Sequence, residues 1–180
     1  MMPEIETARL RLRQFTLFDL EDLFRIYSDP EVMRYVGKGA RTRDETQAGL
    51  LSMLKHWELH GFGIWAVVHK MDGQLIGRCG LCFLDSTPKV ELGYTFAQPY
   101  WGIGIATEAS HASLKFGFEV LKLNRIVALA KPENVGSQRV MQKVGMKYEK
   151  NAYYYNTEVV YYALLQEAWQ PEVSADILPA

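Results

Sequence analysis

Two glycines separated by one residue, Gly102 and Gly104, stand between a segment of strand composition and a segment of helical composition. Such a turn directs several free backbone N–H groups to one point, and the dipole of the following helix adds partial positive charge there. A phosphate or pyrophosphate group is the natural ligand of this arrangement. Because glycine has no side chain, the ligand can approach the backbone closely. The turn is therefore the first candidate binding site in the sequence.

Two common phosphate-binding motifs do not fit this turn. A P-loop requires Lys followed by Ser or Thr after its last glycine, whereas Ile105 and Ala106 follow Gly104. A dinucleotide-binding fingerprint requires Gly or Ala where Thr107 stands, together with a parallel β-α-β unit. The segments before the turn instead predict an antiparallel meander. A tight turn that only connects a strand to a helix is the remaining alternative at this point.

A second polar cluster lies at the start of a short predicted helix. Taken alone, Asn134 is typical of a helix cap and Ser137 of a polar first-turn residue. Joined to the glycine turn, however, the segment resembles the acetyl-coenzyme A motifs of the GCN5-related N-acetyltransferase (GNAT) superfamily. The resemblance lies in Glu-Leu-Gly-Tyr at 91–94, Tyr-Trp-Gly-x-Gly-x-Ala-Thr-Glu-Ala at 100–109 and Glu-Asn-x-x-Ser at 133–137. The residues of these motifs are similar to those of the ribosomal-protein alanine acetyltransferase branch. Residues 7–13 and 29–33 also resemble that branch, so the resemblance extends over nearly the whole chain.

The resemblance implies that acetyl-coenzyme A is the cosubstrate. In this family the strand before the turn diverges from its neighbour, and the pantetheine arm pairs with the exposed backbone. The residues that would lie along the arm are Tyr94, Thr95 and Phe96. The backbone amides that would surround the pyrophosphate are those of Trp101, Gly102, Ile103, Gly104, Ile105, Ala106 and Thr107, and Asn134 and Ser137 complete the implied cofactor site.

The resemblance also implies direct attack of an amine on the thioester in a ternary complex, without a metal. An alkyl ammonium ion with a pKa near about 10 must lose a proton first. Glu91 is the candidate base; the alternative is a solvent-facing carboxylate paired with Lys89 or Arg78. The N–H of Tyr94 or Thr95 is the candidate oxyanion donor. Many relatives donate a proton from a tyrosine where Met141 stands, so the resemblance passes that role to Ser137.

The resemblance places acceptor specificity in the segment from Asp29 to Arg43 and in the hairpin around Asn151 to Glu158. The expected pocket residues are Arg34, Tyr35, Trp57 and Tyr154. The acceptor is an α-amino group of a protein or peptide, or a small-molecule amine. A regulatory module that binds coenzyme A without turnover is the alternative.

The periodicity of apolar residues predicts the elements that position these groups. The predicted strands are Thr7 to Arg13, Phe62 to His69, Gln74 to Leu84, Val90 to Phe96, Arg125 to Ala130 and a hairpin within Tyr148 to Leu165. The first predicted helix begins after the cap Thr16. The other three run over Asp44 to His60, Thr107 to Leu123 and Val135 to Val144. This order predicts a mixed α/β (α+β) fold. The family resemblance implies a mostly antiparallel sheet with one splayed strand pair and helices on both faces.

Composition limits the remaining function classes. With 20 basic and 21 acidic residues, the formal charge is −1, which argues against a nucleic-acid or anionic-membrane partner bound by bulk charge. The length and the 48% hydrophobic content favour one domain over residues 1–170, with a frayed tail at 171–180. We expect a cytoplasmic monomer or homodimer, because the sequence shows neither a secretion signal nor a membrane span.

The cysteine and histidine pairs do not predict a metal site. Cys79 and Cys82 are three residues apart on one predicted strand, so they point to opposite faces and are expected to be reduced, buried thiols. His56 and His60 are one helical turn apart, but Glu58 stands in the wrong position for the His-Glu-x-x-His motif.

Overall fold

The structure of the protein, a computed structural model, describes residues 3–171 and the backbone of residues 176–177. Within this part of the chain the helices are α1 (Leu20–Tyr27), α2 (Arg43–His60), α3 (Ile105–Lys115) and α4 (Val135–Lys143). The strands are β1 (Ile5–Glu6), β2 (Leu10–Arg13), β3 (Ile64–His69), β4 (Leu75–Phe83), β5 (Val90–Phe96), β6 (Arg125–Ala130), β7 (Lys147–Tyr154), β8 (Thr157–Leu165) and β9 (Asp176–Ile177).

The strands form one mixed sheet in the order β7-β8-β6-β5-β4-β3-β2-β1-β9. Every neighbouring pair is antiparallel except β5 and β6, which run parallel because α3 connects them. The predicted α/β class with a mostly antiparallel sheet is therefore confirmed. The single parallel pair lies inside the sheet. The glycine turn follows the first strand of this pair, β5, along the chain.

Helices cover both faces of the sheet. On one face, α3 packs through Ala109 and Ala112 against buried residues of β4 and β5 such as Leu81 and Leu92. On the other face, here called the front face, α1 and α2 bury Leu23, Ile26 and Leu50 against Ile64, Ala66 and Leu75. Burial of these apolar side chains is the main favourable term that holds the two layers on the sheet.

The capping signals in the sequence set the ends of α1 and α2. Thr16 and Asp19 form a capping box, and a short 3-10 turn over Leu17–Asp19 leads into α1. Thr42 caps α2 by accepting a hydrogen bond from the Glu45 N–H, and Gly61 ends it in the left-handed conformation. Leu51 of α2 lies on the solvent side of the helix and is 49% exposed.

Several predicted boundaries need correction. The bounds of β5 and β6 are as predicted, but the expected strand from Thr7 to Arg13 begins only at Leu10, because the Thr7 N–H closes a turn on the Leu10 carbonyl at 2.9 Å. The helix expected from Thr107 to Leu123 begins at Ile105 and changes to a π-helical turn over Phe116–Val120. In the expected tail, Asp176–Ile177 pairs with Ile5–Glu6, and residues 172–175 and 178–180 lie outside the described part.

Of the residues described, none belongs to a helix long and apolar enough to cross a membrane. Cys79 and Cys82 are both free thiols. As predicted, they point to opposite faces: Cys79 packs toward Ser110 and Ser113 of α3, and Cys82 packs against the α1 and α2 layer. Burial raises the pKa of Cys79 to about 11, so its thiol stays protonated.

Candidate active site

The parallel strands β5 and β6 separate almost as soon as they meet. They pair at Glu91 and Val127 and nowhere further along β5. The N–H of Ala97 donates to Ile76 of β4 at 2.8 Å, so by antiparallel alternation the backbone groups of Glu91, Gly93 and Thr95 also point to β4. The backbone groups of Tyr94 and Phe96 therefore point into the gap. This wedge-shaped gap exposes a strand edge in the middle of the sheet.

The glycine turn lies at the open end of this gap. Gly102 and Gly104 have φ angles of 75° and 84°, a region that L side chains rarely adopt, which explains why glycine occupies both positions. Gly104 caps α3, whose first amides have no partners within the helix. Trp101 and Ile103 are 46% and 54% exposed, so the turn projects from the sheet and its backbone is accessible.

An N-terminal clamp holds the turn from the side. The Arg9 guanidinium donates from Nε to Glu108 Oε2 and from Nη1 to the Ile103 carbonyl, each over 2.7 Å. Thr7 also donates to Glu108. Burial disfavours the charged form of Glu108, but the hydrogen bonds from Thr7 and Arg9 outweigh it and lower the pKa of that carboxyl. The sequence did not predict the contacts of this clamp with the turn. The only related signal was the Thr-x-Arg motif at residues 7–9.

Glu91 lies at the closed end of the gap, on the front face. Tyr155 donates to Glu91 Oε1 over 2.7 Å, and the Cys82 thiol lies 3.7 Å from the same oxygen. Burial raises the pKa of Glu91, and the Tyr155 hydrogen bond only partly counteracts this. Within the described residues neither Lys89 nor Arg78 forms an ion pair with Glu91. The geometry therefore favours a held, partly buried carboxylate over a solvent-facing one.

Tyr155 is a site residue that the sequence did not single out. It stands in the turn between β7 and β8, where Tyr155 and Asn156 have φ angles of 50° and 58°. This tight hairpin turn brings the phenol back over the sheet, and its oxygen also accepts from the Asp85 N–H at 2.9 Å. A strand pattern alone could not distinguish this tyrosine from the neighbouring aromatic residues.

Ser137 and Tyr94 meet across the gap. Tyr94 Oη donates to the Ser137 carbonyl and lies 2.9 Å from Ser137 Oγ, which can donate to it in return. Asn134 caps α4 by accepting from the Ser137 N–H at 3.1 Å. Burial raises the pKa of Tyr94, so its phenol stays protonated. Met141, where many relatives carry a tyrosine, is 1% exposed and belongs to the core.

A cavity of about 600 Å³ opens beside this region. It is lined by Arg34, Tyr35, Lys131, Pro132, Glu133, Tyr153, Asn156, Thr157 and Glu158. Two of the four expected pocket residues, Arg34 and Tyr35, are among them.

The other two expected pocket residues do not line this cavity. Trp57 is 1% exposed, because it lies on the buried side of α2 and donates to the Ile64 carbonyl at 2.9 Å. Tyr154 points to the opposite side of β7 from Tyr153 and packs on Tyr161. Tyr153 takes the place that was expected for Tyr154.

Among residues 3–171, no group of three or more His, Cys, Asp or Glu side chains is arranged to hold a metal ion. The rings of His56 and His60 lie 4.6 Å apart, and His56 Nδ1 contacts the Phe62 carbonyl at 2.8 Å. These histidines pack with Phe62 and Phe83 at the end of α2.

Comparisons with known proteins agree with this geometry. The profile of the acetyltransferase (GNAT) domain matches residues 9–147. The uncharacterized N-acetyltransferase YnaD of Bacillus subtilis is 33% identical over 92% of this chain and 98% of its own length. A solved GNAT-family acetyltransferase from Bacillus anthracis is 32% identical, with a TM-score of 0.79 over 91% of this chain and 99% of that one.

The solved ribosomal-protein-S5-alanine acetyltransferase from Vibrio fischeri has a TM-score of 0.76 over 93% of this chain and 99% of its own. At 19% identity, this likeness shows the fold alone. A diverging strand pair, a glycine turn that begins a helix and an Asn-capped helix beside them define the GNAT class of acyltransferases. This chain belongs to the GNAT acetyltransferase family. Members of this family use acetyl-coenzyme A as donor and an amine as acceptor.

Proposed function

We propose that this acyltransferase moves the acetyl group of acetyl-coenzyme A to a primary amine by direct attack in a ternary complex. The observation that carries the proposal is the gap between β5 and β6, which has Glu91 at its closed end and the glycine turn at its open end. One ligand that spans this gap can pair with a strand edge and reach a group of free amides. A pantetheine arm that ends in a pyrophosphate has that form.

The donor site uses the backbone more than the side chains. Tyr94 presents its N–H and carbonyl to the gap, so it is the main partner of the pantetheine arm, with Phe96 beyond it. The N–H of Thr95 points to β4, which leaves the Tyr94 N–H as the oxyanion donor. The pyrophosphate binds the amides from Trp101 to Thr107. Arg9, which is paired with Glu108, fixes the position of that turn through the Ile103 carbonyl.

In the chemical step Glu91 accepts a proton from the amine, directly or through water, and the nitrogen attacks the thioester carbon. The C–N bond forms, the attacking nitrogen releases its second extra proton to water, and the tetrahedral intermediate collapses as the C–S bond breaks. The departing thiolate takes a proton from the Ser137 hydroxyl. The hydrogen bond between Ser137 Oγ and Tyr94 Oη supports this role, because it holds the serine hydroxyl in place while the serine regains its proton from solvent.

The acceptor enters from the side of the cavity between the Arg34–Tyr35 loop and the β7–β8 hairpin. The resemblance to the ribosomal-protein alanine acetyltransferase branch favours an α-amino group of a protein or peptide, or a small amine. The free thiols Cys79 and Cys82 favour a reducing compartment, so the proposed location is the cytoplasm. A monomer or a homodimer fits the proposal equally.

Buried Met141 favours a second candidate function, a coenzyme A-binding module with little turnover, because it removes the proton donor used by many relatives. Two assays separate the functions. A ligand at about 100 times its dissociation constant adds roughly 2.7 kcal/mol, and each kcal/mol raises Tm by about 2–4 °C. We expect the corresponding rise in Tm with acetyl-coenzyme A and not with ATP or NAD. Amine-dependent thiol release that Glu91→Gln abolishes supports the enzyme; binding without release supports the module, and a larger shift with ATP or NAD contradicts both.

A further inference from the structure

Three cross-strand pairs of β4 and β5 share the front face beside the gap. In register they are Arg78 with Thr95, Gly80 with Gly93, and Cys82 with Glu91. The glycine pair in the middle presents no side chain. This surface, here called the groove, has the proposed base at one end and an arginine and a threonine at the other, and backbone of Gly63 and Ile64 fills the space beside Gly80.

Arg78 has no polar partner in the part of the chain that the structure describes. Its Nε is buried without a hydrogen bond, and no carboxylate there lies within ion-pair distance of its guanidinium. The guanidinium lies over Gly93, where a Cβ would be in ordinary van der Waals contact with Arg78 Nη1 at 3.8 Å. Thr95, only 6% exposed, also has an unpartnered hydroxyl. Buried polar groups are normally paired, so two neighbouring exceptions point to a missing ligand.

A second guanidinium lies beside the same tyrosine ring as Arg78. The Arg78 guanidinium lies 5.8 Å from the centre of the Tyr27 ring, and the Arg41 guanidinium lies 4.8 Å from the same centre. Neither arginine forms an ion pair among the described residues, although the charge of Arg78 counteracts part of the rise in pKa that burial causes at Glu91. Two like charges beside one buried ring repel each other unless an anion compensates them. The groove is therefore electrostatically suited to a negatively charged group.

We propose that Arg78 binds a carboxylate of the acceptor, so that the acceptors are small amines that carry a carboxylate. The proposal rests on the proposed function, because it takes Glu91 as the base. A guanidinium binds a carboxylate through two parallel hydrogen bonds, and the Thr95 hydroxyl can supply a third. Gly93, under the guanidinium, is two residues from Glu91, or about 7 Å along the strand. A molecule as small as an amino acid can therefore place its amine at Glu91 and its carboxylate at Arg78.

The test compares kcat/KM for free amino acids with kcat/KM for the corresponding amino-acid amides, in wild type and in Arg78→Met. The amide differs in amine pKa, but that difference cancels in the ratio between the two enzymes. We expect Arg78→Met to lower kcat/KM for amino acids roughly 10–100-fold, mainly through KM, and to leave the amides within about threefold. Arg78→Lys should retain part of the preference. Arg25→Met, which removes an exposed arginine of α1, is the matched control. It should change kcat/KM neither for the amino acids nor for their amides.

The failure of this proposal is distinguishable from the failure of the proposed function. If acetyl-coenzyme A does not stabilise the wild type, the proposed function itself is wrong. If the wild type acetylates amines and Arg78→Met affects acids and amides equally, carboxylate recognition by Arg78 is wrong. A preference for phosphoethanolamine over every carboxylated amine, or for peptides with neutral N-terminal residues, also overturns it.

Discussion

Replacing Tyr155 by Phe tests whether Glu91 is the base. The Tyr155 hydroxyl donates to Glu91 over 2.7 Å and stabilises the carboxylate, which counteracts part of the rise in pKa that burial causes. Without the hydroxyl, the pKa of Glu91 rises further. A hydrogen bond to a charged group contributes roughly 1.5–3 kcal/mol, and one pKa unit corresponds to about 1.4 kcal/mol. The expected rise is therefore about 1–2 units.

The assay is kcat/KM as a function of pH between about 5 and 9, measured by quenched thiol release. A general base acts only when deprotonated, so a higher pKa of Glu91 moves the acidic limb of the profile to higher pH by about 1–2 units. The rates of wild type and variant converge at high pH. The ionisation of the acceptor amine is the same in both enzymes, so it cancels in their ratio.

Tyr148→Phe is the matched control, because it removes an exposed phenol of β7 that donates to Asn151 over 2.9 Å and does not contact Glu91 in the described part of the chain. Its acidic limb should not move. Stabilisation of Tyr155→Phe by acetyl-coenzyme A establishes that the variant is folded and keeps its donor site. An unmoved limb in this folded variant refutes the reasoning, as does an equal displacement in the control. In Glu91→Gln the same limb should be absent and the rate lower by about 10²–10⁴-fold.

Three further predictions concern the donor site. Gly104→Ala forces a residue with φ of 84° to carry a Cβ 3.3 Å from Arg9 Nη2, so we expect weaker acetyl-coenzyme A binding by calorimetry. The matched control is Gly73→Ala, outside the donor site, where φ is 68° and a Cβ would meet open space. This variant should lose about 1–2 kcal/mol of stability and keep its affinity for acetyl-coenzyme A. The pKa of Glu108 lies below its usual 4.5, so the interactions of its carboxylate with Thr7 and Arg9 stabilise the fold fully above pH 4.5. This stabilisation is lost as pH falls through the lowered pKa. Below that pH, the free energy of unfolding should therefore fall more steeply in wild type than in Glu108→Gln, by at most about 1 kcal/mol since Arg9 is partly exposed. Ser137→Ala should lower kcat with little change in the acetyl-coenzyme A Kd; unchanged turnover makes the serine structural only.

Much of the fold follows from local patterns. β5 and β6 have the predicted bounds because short apolar runs between turn residues are recognisable within one stretch of chain. Gly61 and Gly145 mark helix ends because the left-handed conformation suits glycine. The Thr7 turn was missed because alternating residues continue through it, and the hydrogen bond that breaks the strand is visible only in three dimensions.

The sequence by itself determined which groups are candidates for the chemistry: a glycine turn proposed to bind phosphate, Glu91 on the strand before it, and the Asn134 and Ser137 motif after it. Tertiary structure decided which residues reach those groups. Tyr155 meets Glu91 from a hairpin 64 residues away, Arg9 clamps a turn 94 residues away, and Trp57 turns into the core instead of the pocket. Residue type and spacing record local conformation, whereas contacts between distant segments depend on how complete layers pack on one sheet.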